Sequence, residues 1–237
     1  MGDTDYLLTA NEGDAREWAK YSNENEVGKG HASPAGNITG GMVNGKVVYF
    51  KSSDFDGLDP QTDYLFGGRS FTLYRVDGSA LTEVFTSGSD FEAKTASYLS
   101  DYFNCSNDDR SIDDRSGKKG PEPETVTVGK VDGRSYAFVT LERIGGVMVY
   151  DITDPANVAY VNYINSRDFS EDVAADDSPE GLKFIDAKSS PTGNALLLAA
   201  CEVGGTVAVY ELEGRNTSTG GSGSTTTYYT ITVTQRE

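Results

Sequence analysis

Apolar and polar residues alternate along most of the chain in short runs closed by glycine, aspartate or proline, the period of strands with one buried face. Between residues 122 and 166 four such runs follow one another: Val126-Thr-Val-Gly129, Tyr136-Ala-Phe-Val139, Val147-Met-Val-Tyr-Asp-Ile152 and Val158-Ala-Tyr-Val-Asn-Tyr-Ile164. β-Branched and aromatic residues dominate each of them. Val131-Asp-Gly-Arg134 carries a hairpin signal, because Asp-Gly accepts the positive φ of tight hairpin turns. In Asp151-Ile-Thr-Asp-Pro155 the proline ends the third strand and leads into an edge-type fourth. The pattern predicts four antiparallel strands joined by tight turns.

The unit recurs. Pro123-Glu124, a strand ending in Leu141-Glu142, and Gly145-Gly-Val-Met-Val-Tyr150 are answered by Pro179-Glu180, Ala195-Leu-Leu-Leu-Ala-Ala-Cys-Glu202 and Gly204-Gly-Thr-Val-Ala-Val-Tyr210. An earlier copy starts late, at Tyr6-Leu-Leu-Thr-Ala-Asn-Glu12, and reaches its Gly67-Gly68 and Tyr74 only after a long excursion. A β-rich repeat of roughly 40–60 residues is the signature of a propeller blade. The expected fold is all-β, with about three four-stranded antiparallel blades forming one partial β-propeller domain over residues 1–237. The first blade, residues 5–89, lacks its inner strand and carries an insertion at 13–69, and an acidic loop at 90–120 opens on a short helix at Phe91-Glu-Ala-Lys-Thr-Ala-Ser-Tyr-Leu99. A complete blade spans 121–166. The last spans 178–237, with a Gly/Ser hairpin loop at 216–224 and an outer strand at 225–234. Three blades fall short of the roughly four to eight that close a ring. A companion chain with the N-terminal blades, or self-association, is therefore expected, with Phe138, Val147, Val149 and Val207 needing a neighbour. The insertion folded back as a surrogate blade is the other route to closure.

The net charge of −17, from 37 acidic against 20 basic residues, argues against nucleic acid, whose phosphates demand a basic surface. It suits divalent cations or a secreted protein kept soluble by self-repulsion. A mean hydropathy of −0.46 and the absence of an apolar run near ~18 residues exclude direct helical insertion into a membrane. Met1-Gly-Asp-Thr-Asp5 has no basic, apolar leader, and any export signal is expected upstream. Cys105 sits in a polar loop and Cys201 ends an apolar strand; a free, buried Cys201 is favoured over a disulfide.

The sharpest chemical constellation is Asp54-Phe-Asp56-Gly-Leu-Asp59-Pro-Gln-Thr-Asp63. Alternating carboxylates around a glycine turn offer the hard oxygen ligands that Ca²⁺ needs, so Asp54, Asp56, Asp59 and Asp63 are the predicted metal ligands, although the spacing is not that of an EF-hand. Asp108, Asp109, Asp113 and Asp114 form a weaker candidate. Repeated glutamates come next: Glu12, Glu142 and Glu202 each follow a second strand, and Glu124 and Glu180 each open a first one. They either ring one end of the blades and hold a cation or accept backbone N–H bonds in every blade, and the repetition favours the second. Catalytic signals are thin: His31 is the single histidine, in a loop, with no nucleophile elbow or zinc spacing. Arg16, Arg69 and Arg143 stand beside a cassette glutamate or Gly-Gly; they could bind phosphate, but pairing with those carboxylates is the favoured expectation.

Taken as a set, Leu8-Thr-Ala-Asn-Glu-Gly-Asp-Ala-Arg-Glu17, Phe66-Gly-Gly-Arg-Ser-Phe71, Asp113-Asp-Arg-Ser116, Gly120-Pro-Glu-Pro-Glu124, Leu141-Glu-Arg-Ile-Gly-Gly146 and Gly205-Thr-Val-Ala-Val-Tyr-Glu211 resemble the choice-of-anchor I family. That family comprises secreted bacterial proteins and includes animal mesenchyme-specific cell-surface glycoproteins. The resemblance implies the C-terminal part of a seven-bladed-type propeller, displayed on cell surfaces or fused to anchors, sometimes to phosphatase-type domains. It also implies an acidic, calcium-like loop at residues 54–63. Cys201, where Asn is usual, and Thr125, where Gly is usual, depart from the family pattern. The expected function is an extracellular, calcium-stabilised module for surface display, adhesion or ligand or mineral binding. A calcium-dependent phosphoesterase of the propeller type is the alternative.

Overall fold

The computed structural model describes residues 4–15, 17–18, 21–22, 24–26, 47–50, 52–218 and 227–235. The strands follow in chain order as β1 (Tyr6–Asn11), β2 (Glu17–Trp18), β3 (Tyr21–Ser22), β4 (Glu24–Glu26), β5 (Val48–Phe50), β6 (Ser70–Asp77) and β7 (Ala80–Thr86). β1, β6 and β7 make a three-stranded antiparallel sheet in that order, while β2–β3 and β4–β5 form two small ribbons between its first two strands. Helix α1 (Asp90–Tyr98) follows; Asp90 and Glu92 in its first turn suit the positive end of the helix dipole.

The middle sheet is β8 (Pro123–Val131), β9 (Arg134–Leu141), β10 (Val147–Asp151) and β11 (Ala159–Ile164), and the third is β12 (Pro179–Ile185), β13 (Ala195–Cys201), β14 (Thr206–Ser218) and β15 (Thr227–Gln235). In both, neighbours in the chain are neighbours in the sheet, which is an antiparallel meander. β14 and β15 pair from Tyr210↔Gln235 to Ser218↔Thr227. The ladder thus takes in the start of the Gly/Ser-rich segment, and residues 219–226 lie outside the described residues, as does His31.

The sheets stack face to face. Phe71, Phe91, Val139, Leu141, Met148 and Tyr150 fill the layer between the first sheet, α1 and the middle sheet. The Phe71 and Tyr150 rings lie 4.8 Å apart at its centre. Phe138, Val147, Val149, Leu197, Ala199 and Tyr210 fill the layer between the middle and third sheets. This corrects one expectation: Phe138, Val147 and Val149 are fully buried, because the third sheet already covers them. Each contributes about 1.5–3 kcal/mol by leaving water. Val207 remains 59% exposed on the far face of the third sheet.

Two glycines permit the close approach. A Cβ on Gly129 of β8 would lie 2.2 Å from the Phe184 ring of β12, so only glycine lets these strands meet. Gly146, at φ +85°, would drive a Cβ to 2.4 Å from the Ile164 carbonyl oxygen. Both cysteines are free and buried, Cys105 included. Burial pushes each thiol up to about 11, so neither is a thiolate near neutral pH.

β8 lies between β1 on one side and β12 on the other. Its start, the start of β12 and the ends of β1, β9 and β13 therefore collect at one end of the stack.

Candidate functional site

At that end two groups of three glutamates draw their carboxylate oxygens within 4.8 Å of one another. Glu12, at the end of β1, meets Glu122 and Glu124 at the start of β8. Glu142, at the end of β9, meets Glu180 in β12 and Glu202 just past β13. The loops that place them share an unusual backbone. Lys119 and Glu122 have φ of 67° and 60°, and Ala175 and Ser178, at the same distances before Pro179 as those residues are before Pro123, have 55° and 56°. The left-handed turns aim each first strand so that the backbone N–H of Glu142 donates to the Glu122 carbonyl, and that of Glu202 to the Ser178 carbonyl, both at 2.8 Å.

The two groups differ in how their charge is met. In the first, Lys119 Nζ stands 2.6 Å from Glu122, 2.9 Å from Glu12 and 2.9 Å from Asp14. Arg143 Nε also donates to Glu122. Burial alone would raise the Glu122 carboxyl, but hydrogen bonds led by Arg143 hold it down to about 2. Burial opposes the Lys119 charge, yet its three carboxylate partners raise it above the ordinary lysine value. This cluster carries its own cation.

In the second group Ala175 and Ser178 stand where Lys119 and Glu122 stood. The Asn107 amide takes the place of the ammonium, its Nδ2 donating to Glu142 Oε1 at 2.9 Å and Ser178 Oγ at 2.8 Å. An amide brings no charge. Arg143 Nη2 approaches Glu142 at 3.5 Å, but the same guanidinium is held by Glu122 through Nε. Burial, and then the Glu122 charge, push the Glu142 carboxyl up to about 8. Glu180 is raised by burial and by its hydrogen bond to Glu202, and Glu124 by burial and the Glu122 charge. Glu142 is buried, Glu180 half-buried and Glu202 exposed, so the group opens to solvent on one side. Three convergent hard oxygen donors with an open side could hold a divalent cation that completes its shell with water.

Sequence had marked Glu12, Glu124, Glu142, Glu180 and Glu202, with backbone N–H groups as the favoured partners. The partners of Glu12, Glu122 and Glu142 are instead the side chains of Lys119, Arg143 and Asn107. Glu122, Lys119, Asn107 and Ser178 were missed; Glu122 and Ser178 share the place just before the repeated Pro-Glu, whereas Lys119 and Asn107 carry no repeated signal. Of the 54–63 stretch, Asp56 is exposed and Asp63 half-buried. The Asp59 carboxylate accepts from the Gln61 N–H at 2.9 Å and the Thr62 hydroxyl at 3.0 Å. The Asp54 side chain and Arg16 lie outside the described residues. Asp108 accepts from Ser106, Asp109 from the Ser111 N–H and Asp113 from Ser116, so each serves its own turn. Arg69 pairs with Glu92 of α1, rather than with a cassette glutamate.

Residues 1–155, well over half of the chain, match the model of the choice-of-anchor I domain. The chain belongs to the choice-of-anchor I family. The matched stretch holds Glu12, Glu122, Glu124 and Glu142, while Glu180 and Glu202 follow it. Gigasin-3a of Magallana gigas is 28% identical over 166 residues, covering 64% of this choice-of-anchor I chain and 58% of its own length. The mesenchyme-specific cell surface glycoprotein of Strongylocentrotus purpuratus is 29% identical over 119 residues, covering 43% of this chain and 15% of its own. The chain thus spans less than two thirds of either relative. No solved structure matches it.

Proposed function

We propose that the chain is part of an extracellular β-propeller module for surface display, adhesion or ligand binding, stabilised by calcium. The observation that carries this reading is the stack of meander sheets in a choice-of-anchor I chain, with glutamates gathered at one end of the stack. A relative described as a cell surface glycoprotein supports the location. The acidic surface fits an environment rich in divalent cations. Two places compete for the ion: the 54–63 loop, and Glu142, Glu180 and Glu202.

Calcium bound only by the folded state raises the melting temperature by mass action, about 2.7 kcal/mol at a hundredfold excess over Kd. After thorough chelation, adding millimolar calcium is expected to raise the melting temperature of the chain. Asp54→Asn with Asp56→Asn abolishes the rise if the loop holds the ion, and Glu180→Gln with Glu202→Gln abolishes it if the strand ends do. A melting temperature indifferent to calcium in the unsubstituted chain rejects the calcium reading at both places.

The module is completed by a neighbour, either a companion chain carrying further blades or a second copy. Supporting this is the far face of the third sheet, where Val207 pairs with Ala200 and both are exposed. Light scattering with subunit analysis of the purified particle is expected to report a mass well above the 25.4 kDa of one chain. A stable compact monomer with no second polypeptide removes both partners.

A further inference from the structure

A cavity of about 450 Å³ opens between the Gly67-Gly68-Arg69 turn before β6, the start of α1 and the Ser116-Gly117-Lys118 turn. That is within the size range of sites for small molecules. Its apolar wall is Val48, Leu65 and Phe66, and glycines line much of the rest, so little side-chain bulk intrudes.

One charged group is held in place for a ligand. Arg69 Nη1 donates to Glu92 Oε1 at 2.8 Å, and Glu92 is held in turn by the Asn104 amide at 3.4 Å. The stem of Arg69 is clasped by backbone: a Cβ on Gly13 would fall 3.0 Å from its Cγ, and one on Gly120 2.9 Å from its Cδ. That clasp removes the rotamer freedom an arginine normally loses on binding. Nε and Nη2 make no hydrogen bond with any described residue. They form the two-donor edge of a planar fork that matches a carboxylate. Nearby, Ser89 stands at the start of α1 without a side-chain capping bond.

We propose that this cavity binds a small apolar carboxylate, its acid on Arg69 and its hydrocarbon body against Val48, Leu65 and Phe66. A sugar does not suit the site, because its hydroxyls would face the apolar wall without partners. A dianion such as phosphate does not suit it either, because Glu92 already neutralises part of the guanidinium and Lys118, the other cation of the lining, stands 3.7 Å from the Asp14 carboxylate. A free acid and the C-terminal carboxylate of a peptide ending in an apolar residue share this chemistry.

The test is calorimetric titration of the full chain with 3-phenylpropionate, N-acetyl-glycyl-phenylalanine, the amide of each, and inorganic phosphate. Saturable one-to-one binding of an acid is expected, at least about tenfold tighter than its amide, the scale of a charge-assisted hydrogen bond. The tighter of the two acids identifies the source. Arg69→Gln should lose the same factor and no longer distinguish acid from amide. Leu65→Asp should weaken the acid as well, and at 60% exposure its replacement leaves the core intact, so this variant serves if Arg69→Gln folds poorly. An amide that binds as well as its acid, phosphate that competes as strongly, or no saturable binding at all overturns the assignment.

Discussion

Arg167→Met is expected to cost about 3–5 kcal/mol of stability, the range for breaking a buried ion pair by removing one partner. At the size of this chain that lowers the melting temperature by roughly 10 °C or more. Both side chains of the Arg167–Asp177 pair have zero exposure, with Nε 3.5 Å from Asp177 Oδ2. The guanidinium also ties three segments together. Nη1 donates to the carbonyls of Ser106 and Arg143 at 2.9 and 2.8 Å, and Nη2 to that of Asp172 at 3.0 Å, while the Phe169 ring lies 4.8 Å from its centre. Methionine fills the volume and satisfies none of these acceptors. Lysine keeps the charge but cannot present the fork, so Arg167→Lys should recover only a minority of the loss. Burial pushes the Asp177 carboxyl up to about 6, with Arg167 pulling the other way. An acid whose folded value lies above its unfolded one stabilises fully below the unfolded value and loses that contribution as pH rises. The deficit of Arg167→Met should therefore be smallest near pH 4 and grow toward pH 8. Urea melts showing a deficit under about 1 kcal/mol, or one independent of pH, would mean that the pair does not hold the loops.

How much of this was visible in the sequence depends on the range of the interaction. Alternation and turn chemistry are local, which is why the four runs between Val126 and Ile164, the Asp132-Gly133 hairpin and the helix at Phe91 could be read directly. Alternation says which face of a strand is apolar but not what covers it. Phe138, Val147 and Val149 looked in need of a partner because the stacking of the third sheet on the second is not written in either strand. The glutamates stood out because they repeat, whereas Lys119 and Asn107 sit in an irregular loop with no periodic signal and gain their roles only when the strand ends converge. Arg69 shows the same limit: two glycines precede it in the chain, and its partner Glu92 comes from a helix, twenty-three residues away.

Glu142→Gln should separate wild type and variant by pH alone. Glu142 is 6% exposed. Burial raises its carboxyl first, the charges of Glu122 and Glu180 and the hydrogen bond its protonated form donates to Glu122 raise it further, Arg143 opposes them, and the balance lies at about 8. The folded value stands above the ordinary glutamate value of 4.5, so this group's contribution is fully present below about pH 4.5 and is lost as pH rises toward 8. Each unit of difference is worth about 1.4 kcal/mol, so a shift of this size amounts to several kcal/mol across that window. Glutamine imitates the protonated acid and keeps the oxygen that accepts from Asn107 Nδ2. In the presence of a chelator, the two proteins are expected to melt together near pH 5, with the variant several degrees higher at pH 8. Calcium, if Glu142, Glu180 and Glu202 hold it, should narrow that gap by stabilising the wild-type carboxylates and leaving the amide indifferent. A wild-type melting temperature flat from pH 5 to 8, or a variant that melts below it at pH 8, would show that Arg143 and Asn107 already satisfy the charge and that no cation is called for there.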